Sequence, residues 1–137
     1  MMRNTKSGGV LEQMVLPALT LGGYQARMQV VSGARPGGRA HKVDAVAERD
    51  GQTILVSLKW QQSSGTAEQK VPFEVMCLAD AVREGLGARA YLVLGGPGWT
   101  LREYFTSGAL TEHLVHASLV HVVSLEEFVA RANSSRL

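Results

Sequence analysis

The hydrophobic and polar positions change period several times along the 137 residues, and those changes mark the elements. Ile54, Val56, Leu58 and Trp60 are apolar while Ser57, Lys59 and Gln61 are polar, the two-residue period of a strand with one face in a core. Asp50-Gly51 separates this run from Lys42–Arg49. A type I′ turn needs positive φ at both central residues, which Asp and Gly tolerate, so the pattern predicts a β-hairpin. The turn sets a register in which Arg49 faces Gln52, Asp44 stands opposite Ser57 and Lys42 opposite Lys59, with Lys59 diagonal to Asp44. An acid and a lysine thereby share one polar patch, which serves either as a surface ion pair or as a chemical site.

The rest of the chain alternates helical and strand periods. Leu11, Val15 and Leu19, with Val10, Met14 and Ala18, predict a first helix from about Gly9 that ends at Gly22-Gly23, kinked or shortened by Pro17. Tyr24–Val31 reads as a strand, and Ser32–Ala40, rich in Gly and Pro, as a mobile loop. After a polar turn at Gln62–Thr66, Val75, Leu78, Ala79, Val82 and Leu86 form an amphipathic helical stripe. Thr66 with Gln69 fits a capping box but leaves Pro72 inside the helix. A turn over Thr66–Lys70 and a helix from about Pro72 is favoured, because proline sits comfortably at a first helical position. Ala88–Leu94 is a nearly continuous apolar run, as expected of a strand covered on both faces. Thr100 with Glu103 and Ser124 with Glu127 predict capping boxes for two further helices around a last strand at Leu119–Val123. The order is α-β-β-β-α-β-α-β-α, an α/β fold in a single domain, 1–137.

Composition narrows the class. With 45% hydrophobic residues and mean hydropathy +0.01, the chain can bury one real core. No apolar stretch approaches the roughly 18 residues of a membrane span, and the polar N-terminus lacks a signal-peptide core, so a soluble, intracellular, cytoplasmic protein is expected. The one cysteine, Cys77, excludes an internal disulfide and a cysteine-based zinc site. Net charge is only +2, yet Arg27, Arg35, Arg39, His41 and Lys42 fall close together before the hairpin, and such local basicity attracts a polyanion. The spacing of His113, His116 and His121 suits ordinary polar positions better than a metal site. No Gly-Lys-Ser/Thr follows the GGPG segment, so no nucleotide cofactor is expected.

With Asp44 opening the second strand and Lys59 late in the third, this order resembles the restriction-endonuclease-like, or PD-(D/E)XK, nuclease superfamily over about Gly9–Val123. The resemblance implies a mixed central sheet flanked by helices. It also implies a site in which a helix glutamate, a strand aspartate and an acid-x-lysine surround one or two Mg²⁺ ions, for which Mn²⁺ can substitute. Glu12, Asp44 and Lys59 match these positions. Ser57 stands where the motif has an acid, and Val43 where it has proline. The first departure resembles a subgroup with a Ser-x-Lys strand and a glutamate migrated to the following helix; Glu74 fits that place, and Glu68, in the preceding turn, is the rival.

The resemblance then implies a DNA endonuclease hydrolysing phosphodiesters. Asp44 and Glu74 would hold the metal with the Leu58 carbonyl, Lys59 would polarise the water, Glu12 would assist, and Gln61 shares the Lys59 face. Arg35, Arg39 and Lys42 would contact the DNA backbone. Cutting both strands calls for a homodimer. A restriction-like or phage and mobile-element enzyme is the favoured subtype; a Holliday-junction resolvase, or a non-catalytic DNA-binding module with an eroded site, are the alternatives.

Overall fold

The computed structural model describes residues 5–137, with side chains from residue 8 onward; the first residues of the polar N-terminus lie outside the described residues. The elements are α1 (Thr5–Val10), a π-helical turn (Leu11–Val15), α2 (Leu16–Leu21), β1 (Gln25–Ala34), β2 (Ala40–Arg49), β3 (Gln52–Trp60), α3 (Ala67–Arg83), β4 (Arg89–Gly95), α4 (Arg102–Thr106), 3₁₀ turns at Ala109–Glu112 and Ala117–Leu119, β5 (Val120–Ser124) and α5 (Leu125–Asn133). The strands form one mixed sheet in the order β1-β2-β3-β4-β5. The first two pairings are antiparallel and the last two parallel. This is the α/β architecture, a mixed sheet with flanking helices, that the sequence predicts.

Each sheet face carries its own core. Ile54, Val56 and Leu58 pack with Leu11, Val15, Leu19 and Phe128 on one side, while Leu55 packs with Val71, Val75 and Leu78 of α3 on the other. β4 feeds both cores, Tyr91 and Val93 to the first and Ala90, Leu92 and Leu94 to the second, which explains its unbroken apolar run. The hairpin turn forms as expected: Asp50 and Gly51 have φ of 53° and 77°, and the ladder runs from Arg49↔Gln52 to Ala45↔Val56 in the predicted register.

Three local expectations are corrected. Pro17 does not end the first helix; the π-helical turn before it absorbs the misfit, with the Leu16 N–H bonded to the Leu11 carbonyl. Pro72 lies inside α3, which starts at Ala67. Its missing N–H leaves the Glu68 carbonyl without an i+4 donor. The Thr66 hydroxyl makes no capping bond; instead the Gln61 side-chain oxygen accepts from Ala67 N at 3.0 Å and starts the helix from outside. The Thr100–Glu103 box also fails, because Thr100 turns its hydroxyl to Glu68 and α4 begins after Leu101 without a side-chain cap. In the Ser124–Glu127 box the serine does accept from Glu127 N, at 3.2 Å.

Within Ser32–Ala40 the loop is shorter than expected, confined to residues 35–39, because Ser32–Ala34 and Ala40 belong to strands. β1 and β2 run on to a short tip closed by Arg35 N to Arg39 O at 2.6 Å and Gly38 N to Arg35 O at 2.8 Å. Along this hairpin the buried face changes side. Ala26, Met28, Ala45 and Ala47 belong to the first core, yet Val30 and Val43, each two residues from one of them, belong to the second. The switch falls between the pairs Met28↔Ala45 and Val30↔Val43, where Gln29 has φ of 52°, a left-handed conformation costing roughly 1–2 kcal/mol for a non-glycine residue. Beyond Gln29 the hairpin becomes an arm lying against α3 and the turn that follows it: a Cβ on Gly33 would stand 3.0 Å from Leu86 Cδ1 in that turn.

Candidate active site

The β2–β3 ladder stops at Ala45↔Val56, while β2 stays paired with β1 through Val31↔Lys42. The strands therefore part, and Lys42 is not paired with Lys59 as the extrapolated register requires. At the fork the Asp44 carboxylate replaces a main-chain acceptor: Leu58 N donates to Asp44 Oδ2 at 2.6 Å. The second carboxylate arrives from α3. Because α3 starts at Ala67 and not near Pro72, Glu74 lies about two turns into it, on the face that also carries Val71, Val75 and Leu78. Its Oε2 accepts from Ser57 Oγ at 2.8 Å and lies 2.8 Å from His41 Nε2. Lys59, half-buried on the same side of β3 as Ser57, bears on both carboxylates, and its charge lowers the pKa of each.

The two acids respond oppositely. Burial raises the Asp44 carboxyl above its ordinary value, and the Leu58 N–H bond and the Lys59 charge offset this only partly. Burial also pushes Glu74 up, but the His41 hydrogen bond, the charges of Lys59 and His41, and the Ser57 hydrogen bond together carry it below its ordinary value. Glu74 is thus an anion at neutral pH, while ionising Asp44 carries a cost in the folded protein.

The other sequence candidates are placed elsewhere. Both ends of the Gln61 amide are engaged in the scaffold, with Nε2 donating to Gly98 O at 2.9 Å and Oε1 accepting from Ala67 N. The loop after β4 packs so closely there that a Cβ on Gly98 would come within 2.5 Å of the Ser63 backbone, which accounts for the glycine-rich segment. Glu68 accepts from Thr100 N and Leu101 N, each at 2.6 Å, and these bonds, that of Leu101 foremost, lower its pKa. It anchors the loop before α4. Glu12 is exposed on the π-helical turn and is not among the groups that perturb Asp44 or Glu74. Arg35, Arg39 and Lys42 are exposed along the arm. Burial foremost, and then the charge of Glu74, push the Cys77 thiol on α3 up to about 11. A separate cavity of about 270 Å³, lined by Phe105, Leu110, His121 and Arg131, contains none of Glu12, Asp44, Glu68 and Glu74; His121 stacks there on Tyr91.

His41 is the residue that sequence reasoning missed, having entered only as part of the basic run. Its alternation with Val43 and Ala45 marks it as inward-facing, but that it reaches the α3 side and meets Glu74 depends on the change of face at Gln29. Among the described residues no three His, Cys, Asp or Glu side chains form a ready-made metal cage. Two carboxylates do converge beside the Leu58 main chain, whose N–H one of them accepts, and hard oxygen donors of this kind with water completing the shell suit Mg²⁺. A cation would also relieve the cost of keeping Asp44 ionised. The donor set fits a hard divalent ion.

A mixed sheet forked at an aspartate, with a lysine and a helix glutamate beside the fork, defines a restriction-endonuclease-like core. The family model of the PD-(D/E)XK nuclease superfamily domain matches residues 3–136, and the chain belongs to that superfamily. Its members are nucleases that act on nucleic acids, typically with divalent metal ions. The chain is also similar to the crystal structure of a protein of unknown function, AF1548, with a TM-score of 0.50 and 13% identity, covering 81% of this chain and 54% of that one. That likeness concerns the fold alone, and the chain spans about half the length of that protein. No curated protein matches. Among the described residues no helix is long and apolar enough to cross a membrane.

Proposed function

We propose that residues 1–137 form a single nuclease domain, a Mg²⁺-dependent DNA endonuclease of restriction-like, phage or mobile-element type. The observation that carries this reading is the 2.8 Å contact of Ser57 Oγ with Glu74 Oε2. It supports a carboxylate from α3 standing in for the acid missing two residues before Lys59. In this reading Asp44, Glu74 and the Leu58 carbonyl hold the cation, which when bound supplies Lewis acidity at the scissile phosphate and lowers the pKa of water. Lys59 orients the attacking water and offsets phosphate charge. Arg35, Arg39 and Lys42 grip the DNA backbone without reading sequence. Glu12 assists the water shell if bound DNA brings it near, and cutting both strands takes a homodimer.

The test incubates purified protein with supercoiled plasmid and with a four-way junction, each with Mg²⁺, Mn²⁺ or EDTA. Plasmid nicking or linearisation that EDTA abolishes is expected. Cleavage of the junction alone would make the protein a junction resolvase, and metal-independent binding without cleavage of either substrate would make it a non-catalytic DNA-binding module.

A further inference from the structure

We propose that His41 is a positioning residue that sets the orientation of the Glu74 carboxylate, and that Ser57 is its partner in doing so. The proposal rests on the reading of Glu74 as a metal ligand. His41 is 3% exposed, deep enough that an apolar side chain would fit its surroundings at lower cost. Instead an imidazole is buried there, with Nε2 2.8 Å from Glu74 Oε2 and with Nδ1 unpartnered among the described residues. A carboxylate oxygen 2.8 Å from Nε2 selects the tautomer in which Nε2–H donates. The packing thus accepts an unpaired ring nitrogen in order to keep one donor aimed at one carboxylate oxygen.

The geometry gives that donor a purpose. The terminal torsion of a glutamate is broad and nearly free. Two donors from two different strands, His41 of β2 and Ser57 of β3, converge on the same oxygen and remove that freedom. Oε2 is occupied, and Oε1, which has no hydrogen-bond partner among the described residues, is left as the oxygen to face the cation. Hydrogen bonds that orient a metal ligand in this way commonly govern affinity about 10- to 100-fold. The placement of His41 depends on the left-handed Gln29, without which residue 41 would fall on the opposite face of the sheet. The strain at Gln29 and the orientation of Glu74 are thereby linked.

Mn²⁺ binding should be measured by titration calorimetry at one fixed pH for the wild type, His41→Leu, His41→Gln, Ser57→Ala and Glu74→Ala, with thermal melts recorded on the same samples. Glutamine places its amide nitrogen as many bonds from Cα as histidine places Nε2. Expected are a loss of affinity of about 10- to 100-fold in His41→Leu, recovery to within a few-fold of wild type in His41→Gln, and a smaller loss in Ser57→Ala. Wild-type affinity in folded His41→Leu, or equal losses in the leucine and glutamine variants, overturns the proposal. If His41→Leu does not fold, wild-type affinity in Ser57→Ala or a full loss in folded His41→Gln overturns it. If Glu74→Ala itself binds Mn²⁺ normally, the assignment of Glu74 as a ligand fails and takes this proposal with it; if only Glu74→Ala loses binding, the positioning role alone fails.

Discussion

Moving the carboxylate from α3 back to β3 perturbs the site most directly. In Glu74→Ala, His41 Nε2 and Ser57 Oγ lose their shared acceptor. A buried donor left unpaired costs about 1–3 kcal/mol. The Ser57 hydroxyl can rotate to another partner, which leaves His41 stranded, so roughly 1–3 kcal/mol is the expected total. For a domain of this size about 3–4 °C of Tm accompanies each kcal/mol, so the melting temperature should fall by roughly 3–12 °C. Metal-dependent cleavage should be lost as thoroughly as in Asp44→Ala, because the cation loses one of two anionic ligands. In Ser57→Glu with Glu74→Ala, the new side chain starts from a position whose Oγ was 2.8 Å from the missing oxygen. Residue 57 is fully enclosed, so the longer side chain fits only because residue 74 has been shortened. The double variant should regain part of the lost Tm and measurable cleavage, still about a hundredfold below wild type, since a displacement near 1 Å in a catalytic group costs that much. Plasmid cleavage, Mn²⁺ calorimetry and thermal melts on the three proteins test this. A double variant that melts like the wild type but neither binds Mn²⁺ nor cuts would refute the idea that positions 57 and 74 serve one cation.

Asp44→Asn should melt higher than the metal-free wild type at pH 7. The folded-state pKa of Asp44 is raised above 3.8, so its ionised form destabilises the fold once pH has risen through that raised value. Asn keeps the Leu58 N–H bond without the charge, and the advantage should shrink toward pH 3; a lower Tm at pH 7 would contradict the burial argument. Glu74 has the opposite sign: its folded-state pKa is lowered from 4.5, so its contribution is complete above about pH 4.5 and is lost as pH falls through the lowered value. Gln61→Ala should cost about 2–4 kcal/mol in urea denaturation, since Ala67 N and Gly98 O lose their partners, while any protein still folded should retain cleavage; unchanged stability with lost cleavage would return Gln61 to the chemistry. Arg35→Ala with Arg39→Ala should weaken binding to all DNA sequences alike and flatten its salt dependence by about two units of log-log slope. An unchanged slope would remove the arm tip from the DNA contact.

What the sequence determined by itself is what short-range physics specifies. The alternation through Ile54, Val56 and Leu58, the Asp50-Gly51 turn and the register as far as Ala45↔Val56 depend on neighbours close along the chain. So do the unbroken apolar run of β4 and the Ser124 cap. These suffice to bring Asp44, Lys59 and the element order into view, and with them the family. Three features depended on tertiary structure. α3 starts before Pro72 because Gln61, brought in by the fold at Gly98, offers its first turn an acceptor that no local capping box describes. β2 leaves β3 at Asp44 because a carboxylate there takes the Leu58 N–H. His41 reaches the α3 side because a single left-handed residue on a neighbouring strand, Gln29, turns the hairpin over, and strand periodicity cannot register such a change when the residue that makes it is not glycine. The sequence therefore places the acid and the lysine on adjoining strands, while the partners that hold the second carboxylate come from packing between elements far apart in the chain.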